Sequence, residues 1–322
     1  MGLIERFAKA ARGWTKALAG AALLVAGTPG LAEAPARAAA RAQPAAAPRP
    51  AIWLLEDADT KIYLFGTHHM FQRGFAWRSA RLDAIIRDAD ELVMEVADLN
   101  MVDEGTVGRW LFMGKSVPIL SRVSAAHRPR LQALIEASGT PIEAWDMMHS
   151  WAAALMVMGI QSIGTSEDRR AQVAALDRTS FTGAERELDV EFRRAGKPIS
   201  GLETPEQQMA MFRTLGLSLQ RAFLERVIDI VPEAEPDTPG PIGDRNWASG
   251  NVEALVEDMG ALTPELHDLL LTRRNRAWTE WLALRLERPG TVLFAVGAGH
   301  LAGRDSVQSM LEARGLSARR ID

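Results

Sequence analysis

The chain contains no cysteine, and that absence excludes several kinds of functional site at once. None of its 322 residues is a cysteine, so disulfides, zinc–thiolate centres, iron–sulfur clusters and cysteine nucleophiles cannot be present. The sequence also has no serine nucleophile elbow, no P-loop and no H-E-x-x-H metalloprotease motif. Its formal net charge of −4 gives no sign of a nucleic-acid surface, and we expect no nucleic-acid partner.

The first apolar run of the chain is too short and too rich in glycine to be a convincing membrane span. Residues 17–27 form this run, and a Thr-Pro-Gly break at 28–30 follows it. Four basic residues precede it: Arg6, Lys9, Arg12 and Lys16. This pattern is typical of a secretory signal peptide. We therefore predict a signal peptide over residues 1–32, a periplasmic or secreted protein, and no stable membrane span after cleavage; an uncleaved anchoring helix is the alternative.

Alanine and proline dominate the segment after the predicted signal peptide. Residues 33–51 lack the apolar periodicity of a folded element, which predicts a semi-extended linker. The remaining residues, 52–322, are of a length that suits one large domain.

Strand-like segments lie towards both ends of this domain, and helical patterns fill its middle. We predict strands at 62–65, 91–96, 198–202, 291–296 and 318–321. Periodicity and capping patterns predict helices over 78–88, 151–158, 185–195, 273–286 and 306–314, and further helices that begin at Thr204 and Thr263. This order favours an α/β fold: a central mixed or mostly parallel sheet from the N- and C-terminal thirds, flanked by helices, with a helical middle region.

Four of the predicted strands end in, or run directly into, a polar or charged residue. These residues are His69, Glu95, Glu203 and His300. Ligands of open α/β sheets bind at the carboxyl ends of the strands, so parallel strands would bring two histidines and two carboxylates to one rim. Gly66 and Gly297 open matching G-x-x-H units before the two histidines, and glycine permits the sharp turn that exposes the next side chain.

The paired G-x-x-H units allow more than one interpretation. Imidazole and carboxylate groups suit zinc, manganese, cobalt or iron, and two histidines with one carboxylate would leave open positions for water. The alternative is that the histidines only form hydrogen bonds with neighbouring loops. A dinucleotide loop at 297–303 is rejected, because the acidic residue expected about twenty positions later would be the last residue of the chain.

Five segments, taken in order, give the chain a family resemblance. They are "YLFGTHHM", "VMEVAD", "GKPISGLETPEQQ", "LLLTRRNRAW" and "VLFAVGAGHLAG". Together they resemble the TraB/GumN family, which is related to the Tiki proteases. The resemblance implies a fold akin to the erythromycin-esterase and ChaN-like proteins. For the Tiki branch it implies a manganese- or cobalt-dependent peptidase whose essential residues correspond to His69, Glu95 and His300. Glu203, Arg274 and Asn275 also match family motifs.

These observations lead to two candidate functions. The first is a metal-dependent hydrolase of peptides or other small substrates, in which His69, His300 and a carboxylate (Glu95, or otherwise Glu203) bind manganese or cobalt. The second carboxylate would then act as general base, and Arg274 would neutralise an oxyanion or hold a substrate carboxylate. The alternative is a non-catalytic periplasmic protein that binds a peptide, a polysaccharide precursor or an iron-containing ligand on the same rim. A purely structural interpretation is also open for two of these residues. In it, Glu203 caps a helix and Arg274 is a buried ion-pair partner.

Overall fold

A computed structural model describes most of the predicted domain. The described residues are 47–69, 71–97, 104–163, 181–230, 242–252, 254 and 262–322. The predicted signal peptide and residues 33–46 of the predicted linker lie outside these ranges. Within the described ranges, none of the helices combines the length and apolarity that a membrane crossing requires.

A six-stranded mixed sheet forms the centre of the domain, as predicted. Its strands are β1 (Ile52–Glu56), β2 (Thr60–Thr67), β4 (Glu91–Val96), β6 (Ile199–Glu203), β7 (Gly290–Gly297) and β8 (Ala318–Arg320), in the order β6-β4-β7-β2-β1-β8. Strands β6, β4, β7 and β2 run parallel to one another, whereas β1 is antiparallel to both β2 and β8. A separate antiparallel pair consists of β3 (Phe71–Gln72) and β5 (Phe181–Thr182).

Helices cover the sheet and fill the middle of the chain. They are α1 (Ala80–Asp88), α2 (Glu104–Leu111), α3 (Arg128–Ser138), α4 (Ile142–Met147), α5 (Ser150–Ile163), α6 (Ala184–Arg194), α7 (Pro205–Thr214), α8 (Leu217–Asp229), α9 (Ile242–Ala248), α10 (Pro264–His267), α11 (Arg273–Leu286) and α12 (Val307–Glu312). The predicted helix over 273–286 and the predicted strand over 91–96 are confirmed at both ends, and the other predicted helices and strands are present with one or both ends shifted by a few residues. The α/β class with its helical middle is therefore confirmed.

The central strand β7 shows why the domain buries apolar side chains on both faces of the sheet. Val292 and Phe294 belong to one apolar cluster, and Leu293 and Ala295 belong to another, as strand alternation requires. Helix α11 covers the first face, where Trp278 packs, while α1 and α5 contribute to the cluster on the second face. Because β7 is a parallel strand that is buried on both faces, its sequence is a nearly continuous run of apolar residues.

Helices α7 and α11 begin next to the carboxyl edge of the sheet, and each has a distinct local structure at its start. Thr204 caps α7: its hydroxyl accepts a hydrogen bond from Gln207, whose side chain in turn accepts one from the Thr204 amide. A π-helical turn over Asp268–Thr272 leads directly into α11. Such turns are frequent at functional sites, and this one lies immediately before Arg273 and Arg274, the first residues of α11.

Candidate functional site

The carboxyl ends of the four parallel strands meet at one edge of the sheet. β2 ends at Thr67 beside Gly297, the last residue of β7. β4 ends at Val96 beside Glu203, the last residue of β6. Because these strands are parallel and in register, the polar residues at their ends converge, as the sequence predicted.

Gly66 allows the two G-x-x-H turns to lie against each other. A Cβ atom on Gly66 would lie 2.9 Å from the Cα atom of Ala298, which belongs to the 3₁₀ turn Ala298–Leu301 after β7. Real Cβ atoms essentially never approach backbone that closely. The indole of Trp247 donates a 2.7 Å hydrogen bond to the Gly66 carbonyl and holds this crossing in place.

Arg274 is the centre of the polar side chains at this edge. Its Nε and Nη2 atoms donate to the two carboxylate oxygens of Glu203, at 2.7 Å and 2.9 Å. Nη2 also donates to Oε1 of Glu95, and Nη1 donates to Nε2 of His300 at 3.1 Å and to the Leu270 carbonyl at 3.0 Å. We call Arg274, Glu95, Glu203, His300 and His69 the rim cluster. The arginine thus bridges three of the other members directly.

The two carboxylates of the rim cluster have opposite pKa shifts. Burial alone would raise the pKa of Glu95, but the positive charge of Arg274, with help from His300 and His69, lowers it to about 2. Burial raises the pKa of Glu203 despite Arg274, and the Glu95 charge adds to that rise. Gln208 donates a 2.6 Å hydrogen bond to Oε1 of Glu95 as well. Glu95 is therefore the more acidic of the two carboxyl groups, and Glu203 takes up a proton at the higher pH.

Asn275 fixes the protonation of His300. The Asn275 amide nitrogen donates to the backbone carbonyls of His300 and Asp305, at 3.4 Å and 2.7 Å, so its Oδ1 atom faces the imidazole. That oxygen lies 2.6 Å from Nδ1 of His300 and can only accept, which places the ring proton on Nδ1. Burial, together with Arg274, holds the pKa of His300 well below its ordinary value. His300 is thus neutral, with its lone pair on Nε2.

His69 forms a second buried pair at the same edge. Its Nδ1 atom lies 2.5 Å from Oε1 of Glu185, in the first turn of α6. The approach lacks hydrogen-bond geometry, so we describe it as a buried ion pair; among the described residues, neither ring nitrogen of His69 makes a hydrogen bond. Burial lowers the pKa of His69, but Glu185, with a smaller contribution from Glu95, outweighs burial and raises it. The charge of Arg274 also acts on His69, and His69 in turn lowers the pKa of His300, which joins His69 to the rim cluster.

Gly183 lets helix α6 approach the β2 turn closely enough for this pair. A Cβ atom on Gly183 would lie 2.3 Å from the carbonyl oxygen of His69. The amide of Ala184 donates a 3.0 Å hydrogen bond to the carbonyl of His68. The backbone of the His68–His69 turn therefore packs against the start of α6. This contact brings Glu185 close to the imidazole of His69.

The structure brings all the predicted site residues to one place and adds others. His69, Glu95, Glu203, Arg274 and His300 form the rim cluster, Asn275 supports His300, and the two motif glycines shape the turns: Gly66 by its missing side chain and Gly297 by an amide 3.4 Å from Oε2 of Glu95. Glu185, Gln208 and Trp278 were not predicted. Trp278 lies one helical turn after Arg274, and its ring packs against the guanidinium at 4.7 Å and against the His300 ring at 4.3 Å. That spacing on a predicted helix was the available signal for Trp278.

The rim cluster does not fit a divalent metal in this arrangement. In the part of the chain that the structure describes, no group of three or more histidine and acidic side chains is placed to hold one ion. Individual donors have suitable chemistry, because His300 carries a lone pair on Nε2 and Glu95 is ionised. Arg274, however, already engages both groups. The ligand set His69, Glu95 and His300 therefore stays a prediction.

Fold and site together define an α/β domain that carries a buried His/Glu/Arg cluster at the carboxyl edge of a mostly parallel sheet. The chain belongs to the TraB/PrgY/gumN family, whose model matches residues 51–320. The resemblance noted from the sequence motifs is thus confirmed over nearly all of the predicted domain.

Two curated relatives illustrate how the chain is related to other proteins. It is 25% identical over 265 residues to "Uncharacterized protein YbaP" of Escherichia coli (strain K12), an alignment that covers 81% of this chain and 92% of that protein. It is 26% identical over 167 residues to "Metalloprotease TIKI homolog" of Amphimedon queenslandica, which covers 42% of this chain and 32% of that protein. No solved structure matches the chain.

Proposed function

We propose that this chain is a hydrolase that cleaves the amide bonds of peptides, with the rim cluster as its active site. The observation that carries the proposal is the convergence of two G-x-x-H histidines, an ionised glutamate and a buried arginine at the carboxyl edge of parallel strands. The likeness to a protein named as a metalloprotease supports the same reaction class. The N-terminal sequence pattern supports a periplasmic or secreted location for that activity.

Three members of the rim cluster have a direct chemical role in this proposal. Arg274 presents a guanidinium whose side chain is only 10% exposed, where it can stabilise the oxyanion that develops on an attacked carbonyl. Glu203 has a raised pKa, so it can hold a proton for the leaving amine. His300 is neutral with its lone pair on Nε2, so it can accept a proton from water once Arg274 turns to the substrate.

The proposed dependence on manganese or cobalt is a separate part of this function. Its support is the resemblance to the Tiki branch together with the donor chemistry of His300, Glu95 and His69. The roles proposed for Arg274, Glu203 and His300 do not involve a metal, because Arg274 contacts His300 and Glu95, two of the three ligand groups, in the arrangement observed.

The test compares peptide cleavage by the parent chain and by the double variant His69→Ala/His300→Ala. Both are assayed with a mixed peptide library in chelator, in manganese and in cobalt, and their metal content is measured. The control is His127→Ala/His267→Ala, which removes two histidines that lie outside the rim cluster and contact Asp229 and Asp305. We expect cleavage by the parent and the control, and none by the rim variant.

A different result would contradict the hydrolase. If the parent is folded and inert in all three conditions, the rim cluster is not an active site for peptides. If the rim variant cleaves as fast as the parent, the two histidines take no part in the reaction. An inert parent that retains ligands from a periplasmic extract, and loses them in the rim variant, would instead support the non-catalytic binding protein.

A further inference from the structure

An open groove of about 700 Å³ runs along helix α6. Residues of α6 supply most of its lining, and Thr182 of β5 and Arg73, the residue after β3, supply the rest. We propose that this groove binds the acidic part of a peptide substrate, so that the chain acts on peptides that carry aspartate or glutamate close to the cleaved bond. The proposal rests on the peptide hydrolase proposed above and names the class of its substrate.

The groove lies directly beside the rim cluster. Thr182, in its lining, precedes Gly183, the glycine that lies against the His69 carbonyl. Arg186, also in its lining, follows Glu185, which pairs with the His69 imidazole at 2.5 Å. A peptide that is held in the groove therefore passes close to the residues that would cleave it.

The charged side chains of the lining favour an anionic ligand. Three arginines and two glutamates line the groove: Arg73, Arg186, Arg194, Glu187 and Glu191. Glu191 accepts two hydrogen bonds from the Arg78 guanidinium, at 2.6 Å and 3.4 Å, and Glu187 accepts one from the Trp77 indole at 3.2 Å. Both glutamates thus have partners of their own. In a chain whose formal net charge is −4, a groove with this excess of positive charge attracts acidic groups.

Arg186 and Arg194 lie eight residues apart on α6, with Val190 midway between them. Side chains four residues apart share one side of a helix, and eight residues span about 12 Å at ~1.5 Å per residue. Among the described residues, no carboxylate forms an ion pair with either arginine, whereas the adjacent Arg193 pairs with Asp189 at 2.9 Å. Two unneutralised guanidinium groups are thus available along one side of the helix.

This lining is complementary to an extended acidic peptide. An extended chain covers about 12 Å in roughly four residues, so two carboxylates four positions apart can reach both arginines. Guanidinium groups bind carboxylates through two parallel hydrogen bonds. Val190, whose side chain is exposed, offers an apolar contact between the two charges. The volume of the groove also lies within the range of about 300–1,000 Å³ that is typical of ligand sites.

The experiment measures the binding of rhodamine-labelled nonapeptides to the full chain by fluorescence anisotropy at low ionic strength. The acidic probe carries two glutamates four positions apart among alanines and serines, and the comparison probe carries glutamine at both positions. The groove variant is Arg186→Gln/Arg194→Gln. Its control is Arg87→Gln/Arg193→Gln, which removes the same charge from two exposed residues outside the groove.

We expect the groove variant to bind the acidic probe about five- to tenfold more weakly than the parent, because two exposed pairs between arginine and carboxylate are lost. The control should bind the acidic probe like the parent. Arg186→Lys/Arg194→Lys keeps both positive charges, so it should retain more of the parental affinity than the groove variant. Circular dichroism checks that all the variants fold, and a heparin fragment tests a sulfated polysaccharide as the occupant.

Four outcomes would overturn the inference. They are a parent that binds the acidic probe no better than the glutamine probe, a groove variant that binds it as tightly as the parent, a control that loses as much affinity as the groove variant, and a heparin fragment that binds through the same arginines more tightly than the acidic probe.

The outcome for the groove is separate from the outcome for the hydrolase, because binding is measured on probes that mass spectrometry shows to be intact. If the acidic probe binds through Arg186 and Arg194 while the parent cleaves no peptide, the inference stands and the hydrolase fails. If the parent cleaves peptides but binds the two probes equally, the hydrolase stands and the inference fails.

Discussion

The Nδ1 atom of His300 and the Oδ1 atom of Asn275 lie 2.6 Å apart, and this buried contact ties the turn after β7 to helix α11. The residue before Asn275 in the sequence, Arg274, contacts the opposite nitrogen of the same ring. Two consecutive residues of one helix thus hold His300 from both sides. One of them fixes its proton on Nδ1, and the other engages its lone pair.

Replacing Asn275 by alanine should weaken the fold. Asn275→Ala leaves Nδ1 of His300 and the Asp305 carbonyl without their buried partner, so we expect the free energy of unfolding to fall by about 1–3 kcal/mol. Urea denaturation measures this change. The control is Arg276→Ala on the exposed side of the same helix, which should stay within about 0.5 kcal/mol of the parent. Equal stability of the two variants would show that Asn275 does not hold His300.

Stability should fall in acid because of Glu95. Its pKa is lowered to about 2 in the folded chain from an ordinary value of 4.5. The unfolded chain therefore takes up the proton first, so the contribution of Glu95 is complete above pH 4.5 and is lost as the pH falls towards 2. The amount lost is on the order of 3 kcal/mol.

Urea denaturation between pH 6 and pH 2.5, in a chelator, checks this prediction. Glu95→Gln should show a shallower loss of stability over that interval than the parent. Glu206→Gln, at an exposed position in the first turn of α7, should keep the parental slope. A Glu95→Gln variant with the full parental slope would mean that other groups cause the acid sensitivity.

The sequence was sufficient to predict which residues gather at the carboxyl edge of the sheet. The strand signals of β2, β4, β6 and β7 are local, and parallel strands necessarily end at a common edge. His69, Glu95, Glu203 and His300 could be placed there because each lies at, or just beyond, the end of one of these strands. Arg274 came from the family motif, since nothing local shows which way the first turn of α11 points.

Long-range contacts explain what the sequence did not reveal. The pairing of His69 with Glu185 depends on α6 touching the turn after β2, a contact between distant parts of the chain. The strand β1 (Ile52–Glu56) was not predicted; it pairs with β2, the next strand along the chain, and with β8 from the far end of the domain. Gln208 reaches Glu95 from a helix whose inner face is set by tertiary packing.

Gly183 should tolerate no side chain, although it lies in extended backbone that any residue adopts. In Gly183→Ala the new methyl group would meet the His69 carbonyl at 2.3 Å, so α6 or the β2 turn must move, at about 1–3 kcal/mol. Gly216→Ala is the matched control, because Gly216 also precedes a helix in extended backbone but has open space around it. Thermal and urea denaturation should show Gly183→Ala as clearly the less stable of the two. Similar losses of stability in both variants would mean that the substitution at the N-cap position, and not the approach to the His69 carbonyl, lowers the stability.

Breaking the ion pair between His69 and Glu185 should lower both the stability of the fold and the pKa of His69. Glu185→Gln removes the negative partner, so the charged form of His69 loses its main source of support and its pKa should drop. A buried pair broken on one side typically loses about 3–5 kcal/mol when the other group stays charged. His69 can instead lose its proton, so we expect a smaller loss in Glu185→Gln, which grows as the pH falls below 6.5.

The direction of the pH dependence distinguishes a charged His69–Glu185 pair from ordinary packing between the two side chains. The raised pKa of His69 contributes stability below pH 6.5 in the parent, and that contribution disappears as the pH rises through the folded pKa. The stability difference between parent and Glu185→Gln should therefore be larger at pH 5.5 than at pH 8, whereas Glu206→Gln should show none. A difference that does not change with pH would mean that His69 is uncharged beside Glu185, and the two residues would then be held together by the Gly183 approach alone.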